Sequence, residues 1–228
     1  PDDVESYFEA ILTDGTAAMN TTSGWVGSLT SFDGGSGYWV IVEEDLSFSY
    51  NAVDDGFGRV AYVETLPQGL EFKVLQSSQQ AFYFVDQIEL LDGAIENGDW
   101  LLSYNDNVLT GVRQWQGVAI DVPAMGEAYD QDGNIFEGTA GYFQIGDTPT
   151  FKLLKNTTGE LIQLGGDVDE WIDKGYFMIS GLTEVPVPEE FGLDSAYPNP
   201  FNPVTPLRFI LPMDSQVSIQ VYNIQGRL

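Results

Sequence analysis

The segment Ala81-Phe82-Tyr83-Phe84-Val85 is wholly apolar or aromatic and holds three consecutive aromatic residues. Aromatic and β-branched side chains favour strands over helices. A short, dense apolar run of this length, bounded by polar residues, is typical of a buried strand. We therefore expect residues 81–85 to form a central core strand.

Similar segments continue the pattern on both sides. Gly37-Tyr38-Trp39-Val40-Ile41-Val42 is one example. Further strands are predicted at residues 46–50, 57–63, 70–75, 81–91, 100–104, 108–115, 117–122, 139–145, 150–154 and 161–164. Asp92-Gly93 and Asn97-Gly98 lie between apolar runs and are typical hairpin turns. Short strands at this spacing predict a mainly β protein with an antiparallel, sandwich-like body.

Two segments predict helices. Apolar residues near the N-terminus recur with the spacing of one helical face: Val4, Tyr7, Phe8, Ile11 and Leu12. Asp2 or Asp3 can cap the start of this helix, and Gly15 can end it. We expect an N-terminal helix that covers one side of a sheet. A second, short helix is predicted at residues 168–173.

The composition restricts the chemistry that the chain can perform. Its 228 residues carry a net charge of −27 and include no His and no Cys. A Ser-His-Asp triad, a Cys nucleophile and a zinc site with His or Cys ligands are therefore excluded. Because nucleic acid repels so acidic a surface, it is not expected as a partner. With 35 acidic residues, a neighbouring pair of carboxylates does not indicate a glycosidase, and we expect no enzymatic activity.

The composition changes near residue 185. Seven of the eleven Pro residues lie in residues 185–228. Pro restricts its own backbone and that of the preceding residue, so residues 185–192 are expected to form an extended linker. The sequence thus predicts a β-rich body at 1–184 and a separate tail at 193–228. A further division of the body into 1–65 and 66–184 is an alternative.

The tail contains a distinctive motif. It opens with Tyr197-Pro198-Asn199-Pro200-Phe201-Asn202-Pro203, which predicts a turn fixed by Pro and Asn. Two alternating apolar segments follow, the first at residues 207–211 and the second at 217–221. The second leads into Val221-Tyr222-Asn223-x-x-Gly226, a predicted turn.

This tail resembles the start of the Ig-like C-terminal sorting domain carried by proteins of the type IX secretion system. The resemblance implies export through the secretion machinery, followed by release or attachment at the cell surface. It implies no chemistry on a substrate. The family's domain has several more strands than the two predicted here. We therefore expect a partial Ig-like tail in a fragment of a longer protein, or a tail that packs on the body or borrows strands from another copy.

One acidic loop has two interpretations. Asp130, Asp132 and Asn134 alternate in a turn that contains Gly133, and Glu137 follows. Closely spaced carboxylate and amide oxygens suit calcium, although the spacing does not match an EF-hand. The same residues also suit a plain hairpin turn. Calcium is the only cofactor that the sequence suggests.

The aromatic residues likewise leave two interpretations open. Exposed aromatic rings stack on sugars, whereas buried ones pack in a core. Trp25, Trp39 and Trp115 are the candidate ligand-binding residues, and their exposure decides between the two.

Taken together, these features predict a non-catalytic, secreted or cell-surface accessory or adhesion module without a membrane span. Its expected partners are a polysaccharide or another cell-surface protein. One alternative is a carbohydrate-binding module of a larger exported hydrolase. Another is a structural subunit of a surface layer or filament.

Overall fold

The computed structural model describes residues 4–46, 74–136, 138–186, 191–198, 200, 202–212, 215–223 and 225–226. Within them the chain is mainly β, as predicted. The predicted strand at 57–63, nearly all of those at 46–50 and 70–75, and the alternative division at residue 65 lie outside the described residues. The chain divides into two compact units, Pro1–Val185 and Pro186–Leu228.

The described strands are numbered in chain order. They are β1 (Phe8–Thr13), β2 (Thr16–Thr21), β3 (Gly24–Gly27), β4 (Trp39–Val42), β5 (Gln80–Val85), β6 (Ile88–Glu89), β7 (Trp100–Asn105), β8 (Val108–Gln114), β9 (Ile120–Met125), β10 (Thr150–Leu154), β11 (Leu161–Gly165), β12 (Tyr176–Ile179), β13 (Leu182–Glu184), β14 (Gly192–Leu193) and β15 (Phe209–Ile210). None of the helical structure in the described part of the chain is long and apolar enough to cross a membrane.

The body unit stacks three sheets. A four-stranded antiparallel sheet has the order β3-β2-β1-β4, and a central three-stranded sheet has the order β12-β5-β9. A six-stranded sheet has the order β6-β13-β11-β10-β7-β8. Pairing is antiparallel except between β12 and β5 and between β13 and β6. The central sheet thus lies between two others.

The middle strand of the central sheet is β5, and all six of its residues are buried. Phe82 and Phe84 pack with Leu12 of the four-stranded sheet. Tyr83 and Val85 belong to the core shared with the six-stranded sheet. Because successive strand side chains point to opposite faces, β5 contributes to both cores at once. The predicted central strand is confirmed.

The predicted N-terminal helix is wrong. Glu5–Tyr7 forms one 3-10 turn, and Phe8–Thr13 is strand β1, paired with β2 and β4. A bulge between Phe8 and Ala10 interrupts the alternation of the strand. With apolar residues buried on both of its faces, the strand imitates the spacing of a helical stripe.

Two further predicted elements are absent. Residues 168–173 form no helix, and Trp171 is instead held in the core by its indole N–H, which donates to the Ala124 carbonyl at 2.9 Å. Residues 139–145 form no strand and contribute only a single bridge between Phe143 and Gly126. Each segment buries aromatic side chains, Trp171 in the first and Tyr142 and Phe143 in the second, and this packing does not require regular structure.

The tail unit contains little regular structure among its described residues. Gly192–Leu193 pairs with Phe209–Ile210, and the segment predicted as a second strand at 217–221 is not paired. Two residues a side make a short ladder, and such a ladder is marginal without further strands.

A buried ion pair connects the three sheets of the body. Arg113 of β8 donates from Nη2 to the Asp121 carboxylate at 2.8 Å and from Nε to the Asp121 carbonyl at 2.8 Å. The same Nη2 donates to the carbonyl of Gly15, in the turn between β1 and β2, at 2.6 Å. Asp121 of β9 also accepts the N–H and hydroxyl of Ser28, which follows β3. Burial raises the pKa of Asp121, and the Arg113 charge and the Ser28 hydrogen bonds oppose that shift.

We predict that Asp121→Asn lowers the free energy of unfolding by about 3–5 kcal/mol, because it leaves the buried Arg113 charge uncompensated. Lys174→Met is the matched control, since the Lys174–Asp173 pair is partly exposed and its loss should cost about 1 kcal/mol or less. Urea denaturation measures both. Equal effects of the two substitutions would contradict the central role of the ion pair.

Candidate functional site

A cleft of about 410 Å³ opens on the four-stranded sheet. Its floor is formed by Phe8, Ile11 and Ala18, on the face opposite the one that packs against the central sheet. Trp25 and the loop at 29–32 line it further. The volume is within the roughly 300–1,000 Å³ usual for small-molecule sites.

The local sequence explains how Trp25 is presented. The Thr21 hydroxyl donates to the Gly24 carbonyl at 2.7 Å in the turn between β2 and β3. Gly27 has a φ of +127°, and a Cβ there would lie 2.3 Å from the Ala17 carbonyl oxygen. Only glycine therefore allows β3 to end so close to β2. The chain then continues into Ser28 and the loop that lines the cleft.

Glu5 stands at the edge of the cleft and fixes the Trp25 ring. The indole N–H of Trp25 donates to the Glu5 carboxylate. Asn20, the cross-strand partner of Trp25, donates from its amide to the Phe8 carbonyl at 3.1 Å and to the Glu5 carbonyl at 3.3 Å. The N-terminal turn and β2 therefore hold the indole in one orientation.

The other two predicted ligand-binding tryptophans lie elsewhere. Trp39 of β4 is 37% exposed, and the Lys174 ammonium lies 5.3 Å from the centre of its ring. Trp115 is 6% exposed and packs in the core between the central and six-stranded sheets. Of the three, only Trp25 lines the cleft.

Several residues of the cleft were not among the sequence candidates. The cleft is lined by Trp25 together with Glu5, Phe8 and Phe32. Glu5 and Phe8 are distant from Trp25 in sequence, and Phe32 belongs to the loop that follows β3. The glycines on either side of Trp25-Val26 were the one available signal, because they indicate an unusual backbone path at an aromatic residue.

The acidic loop forms a small hairpin. Tyr129 and Ile135 make an isolated antiparallel bridge. The Asp130 carboxylate accepts the N–H groups of Asp132 and Asn134, each at 2.9 Å. These hydrogen bonds lower the pKa of Asp130, chiefly through Asn134. Glu137 lies outside the described residues, and among the described ones no group of three acidic side chains could hold a metal ion.

The two interpretations of this loop predict different responses to calcium. Since the Asp130 carboxylate already caps the turn, we expect the wild type to have the same melting temperature in EDTA and in excess calcium. Asp130→Ala should lower the melting temperature by the same amount in both conditions. Differential scanning calorimetry measures both. A calcium-dependent rise that Asp132→Ala abolishes would instead establish a calcium site.

Asp99, a buried carboxylate that a glycosidase could use, is paired. It accepts the Lys155 ammonium at 2.7 Å, the Glu96 N–H at 2.9 Å and the Asn156 N–H at 3.0 Å. Burial alone would raise the pKa of Asp99, but these hydrogen bonds outweigh it and lower the pKa. A general acid usually has a raised pKa, whereas the Lys155 ammonium and the two N–H groups stabilise the ionised form of Asp99.

The lowered pKa of Asp99 predicts a pH dependence of stability. Its contribution is fully present above the ordinary Asp pKa of about 3.9 and is lost as the pH falls through the lower, folded value. We expect Asp99→Asn to be less stable than the wild type near neutral pH and the difference to narrow below about pH 4. Urea unfolding at several pH values measures this. Asp106→Asn, a substitution in an exposed turn, is the control. A stability difference between the wild type and Asp99→Asn that widens in acid would contradict a lowered pKa of Asp99.

The motif of the tail is partly described. Tyr197 is 82% exposed, while Asn199 and Phe201 lie outside the described residues. Pro198, Pro200, Asn202 and Pro203 belong to the same irregular segment. Further along, Val221 and Tyr222 are exposed. They precede a turn in which the Gly226 N–H donates to the Asn223 carbonyl at 2.9 Å.

Comparisons with protein-family models, with curated proteins and with solved structures give no match for this chain.

Proposed function

We propose that this protein is a non-catalytic, exported accessory or adhesion module. The body acts outside the cell, and the tail is the secretion address. The observation that carries the proposal is the motif at 197–203, which belongs to a unit separate from the body and exposes Tyr197. A signal that is read by secretion machinery must be accessible on the folded protein.

The environments of the acidic residues support a non-catalytic body. Asp99 and Asp121 are engaged by cations and N–H donors. Glu127 accepts the Gly141 N–H at 3.0 Å, the Tyr129 hydroxyl at 2.8 Å and the Gln144 amide at 2.7 Å. Burial alone would raise the pKa of Glu127, but these donors lower it. Such carboxylates stabilise loops and are poorly suited to transferring protons.

The acidic composition supports an extracellular setting. A net charge of −27 maintains solubility, and the salt of an external medium screens the repulsion between the charges. The same charge would oppose binding to polyanions.

An export assay tests the proposal. The full chain is placed behind an inner-membrane export signal in a bacterium that has a type IX system and in a mutant that lacks it. We expect the wild type in the medium or on the surface, and the double variant Tyr197→Ala/Asn202→Ala in the periplasm, because the address is then altered. Cell fractionation and immunoblotting measure the distribution.

The matched control is Val204→Ala, an exposed residue of the same tail outside the motif. It should be exported like the wild type, and melting curves should show that all variants keep a folded body. Export that is independent of the motif or of the type IX system would overturn the proposal.

Light scattering of the purified chain separates this function from a surface-layer or filament subunit. If the protein is an accessory module, we expect the measured mass to be that of a monomer. Large, regular assemblies at low concentration would favour the structural subunit instead.

A further inference from the structure

We infer that the Trp25 cleft binds a neutral sugar residue of an extracellular polysaccharide. This inference deepens the proposed function by giving the body a ligand class, and it rests on that function only for the extracellular setting. The shape of the cleft, its polar edge and its charge all suit such a ligand.

The apolar part of the cleft suits one face of a sugar ring. Phe8 and Ile11 form a rigid floor on a paired strand and are already 3% and 6% exposed. The half-buried Trp25 ring beside them offers the surface for stacking. The C–H groups of a pyranose present an apolar face of about the size of an aromatic ring, so stacking buries area on both. Because Trp25 is already oriented by Glu5 and carried by β3, little side-chain freedom is lost on binding.

The edge of the cleft offers hydrogen bonds that the protein does not use. The Thr30 and Ser31 hydroxyls line it and make no hydrogen bond with the described residues. One oxygen of Glu5 accepts the Trp25 indole, and the other is without a partner among the described residues. A purely apolar ligand would remove these groups from water without replacing their hydrogen bonds. Sugar hydroxyls can donate to Glu5 and exchange hydrogen bonds with Thr30 and Ser31.

The charge of the cleft selects neutral sugars over acidic ones. The described lining contains the Glu5 carboxylate and no Lys or Arg. A uronate or sulfate group would meet this carboxylate inside a chain of net charge −27 without a cation to pair with. Acidic polysaccharides are therefore disfavoured, whereas neutral ones incur no such repulsion.

Titration of the purified full chain tests the inference independently of export. The probes are neutral hexasaccharides of glucose, mannose and xylose, with hexagalacturonate as the acidic comparison and a chitosan hexamer as the cationic one. Isothermal calorimetry gives the affinities, and Trp fluorescence reports the ring environment. We expect at least one neutral hexasaccharide to bind and hexagalacturonate not to bind.

Three variants locate the site. Trp25→Ala should weaken binding by about tenfold or more. Thr30→Val/Ser31→Ala changes exposed loop side chains and should also weaken binding, so the test holds even if Trp25→Ala fails to fold. Trp39→Ala is the matched control, because Trp39 lies outside the cleft, and it should bind like the wild type.

Glu5→Gln separates the remaining ligand classes. It keeps an acceptor for the indole but replaces the second oxygen by an amide donor, so a neutral sugar should bind up to about tenfold more weakly without losing its binding. The inference is overturned if no neutral hexasaccharide binds, if Trp25→Ala and the loop variant bind like the wild type, or if the chitosan hexamer alone binds and Glu5→Gln abolishes it. Since the assay does not involve the tail, these failures leave the export proposal standing, and a failed export assay leaves the sugar site standing.

Discussion

The Arg113–Asp121 pair is the contact on which the arrangement of the body depends. Removing two charges from water is expensive, and the cost is offset only where the remaining donors and acceptors are also satisfied. Here the guanidinium contacts β9 and the Gly15 turn, while the carboxylate holds Ser28 at the end of β3. The partners come from all three sheets: Arg113 from the six-stranded sheet, Asp121 from the central sheet, and Gly15 and Ser28 from the four-stranded sheet. A slip of any sheet would leave a buried charge unpaired, so the pair specifies how the three layers are stacked.

The close approach of β8 and β9 supports this arrangement. A Cβ at Gly111 would lie 1.8 Å from the Pro123 carbonyl oxygen, so only glycine fits there. Pro123 has no N–H to leave unpaired at this edge of the central sheet, and its carbonyl accepts the Ser103 hydroxyl at 2.7 Å. At this edge the two sheets are therefore joined by side-chain hydrogen bonds rather than by a ladder. This contact brings Arg113 within reach of Asp121.

The sequence predicts well those elements whose burial matches a local pattern. The apolar run at 81–85 is buried throughout and was identified correctly. Strand β1 was mistaken for a helix because a bulge and burial on both faces change its period, and pairing with β2 and β4 decides its structure. Trp171 is buried although its segment is irregular, so a buried aromatic residue at this position does not indicate a helix or a strand. Hydrogen bonds between residues far apart in the chain, such as the one from Arg113 to the Gly15 carbonyl, cannot be predicted from a local sequence pattern.

The residues of the cleft also differ in whether the sequence alone could identify them. Trp25 could be selected because its residue type and flanking glycines are visible in the sequence, whereas Glu5 and Phe32 join it only through the fold. Ser28 lies between Trp25 and the loop at 29–32, and its hydrogen bonds to Asp121 connect this wall of the cleft to the buried ion pair. A ligand that contacts both Trp25 and the loop therefore meets a surface that the core has already positioned. The ordering of the chain at Ser28 therefore takes place during folding and adds nothing to the cost of binding.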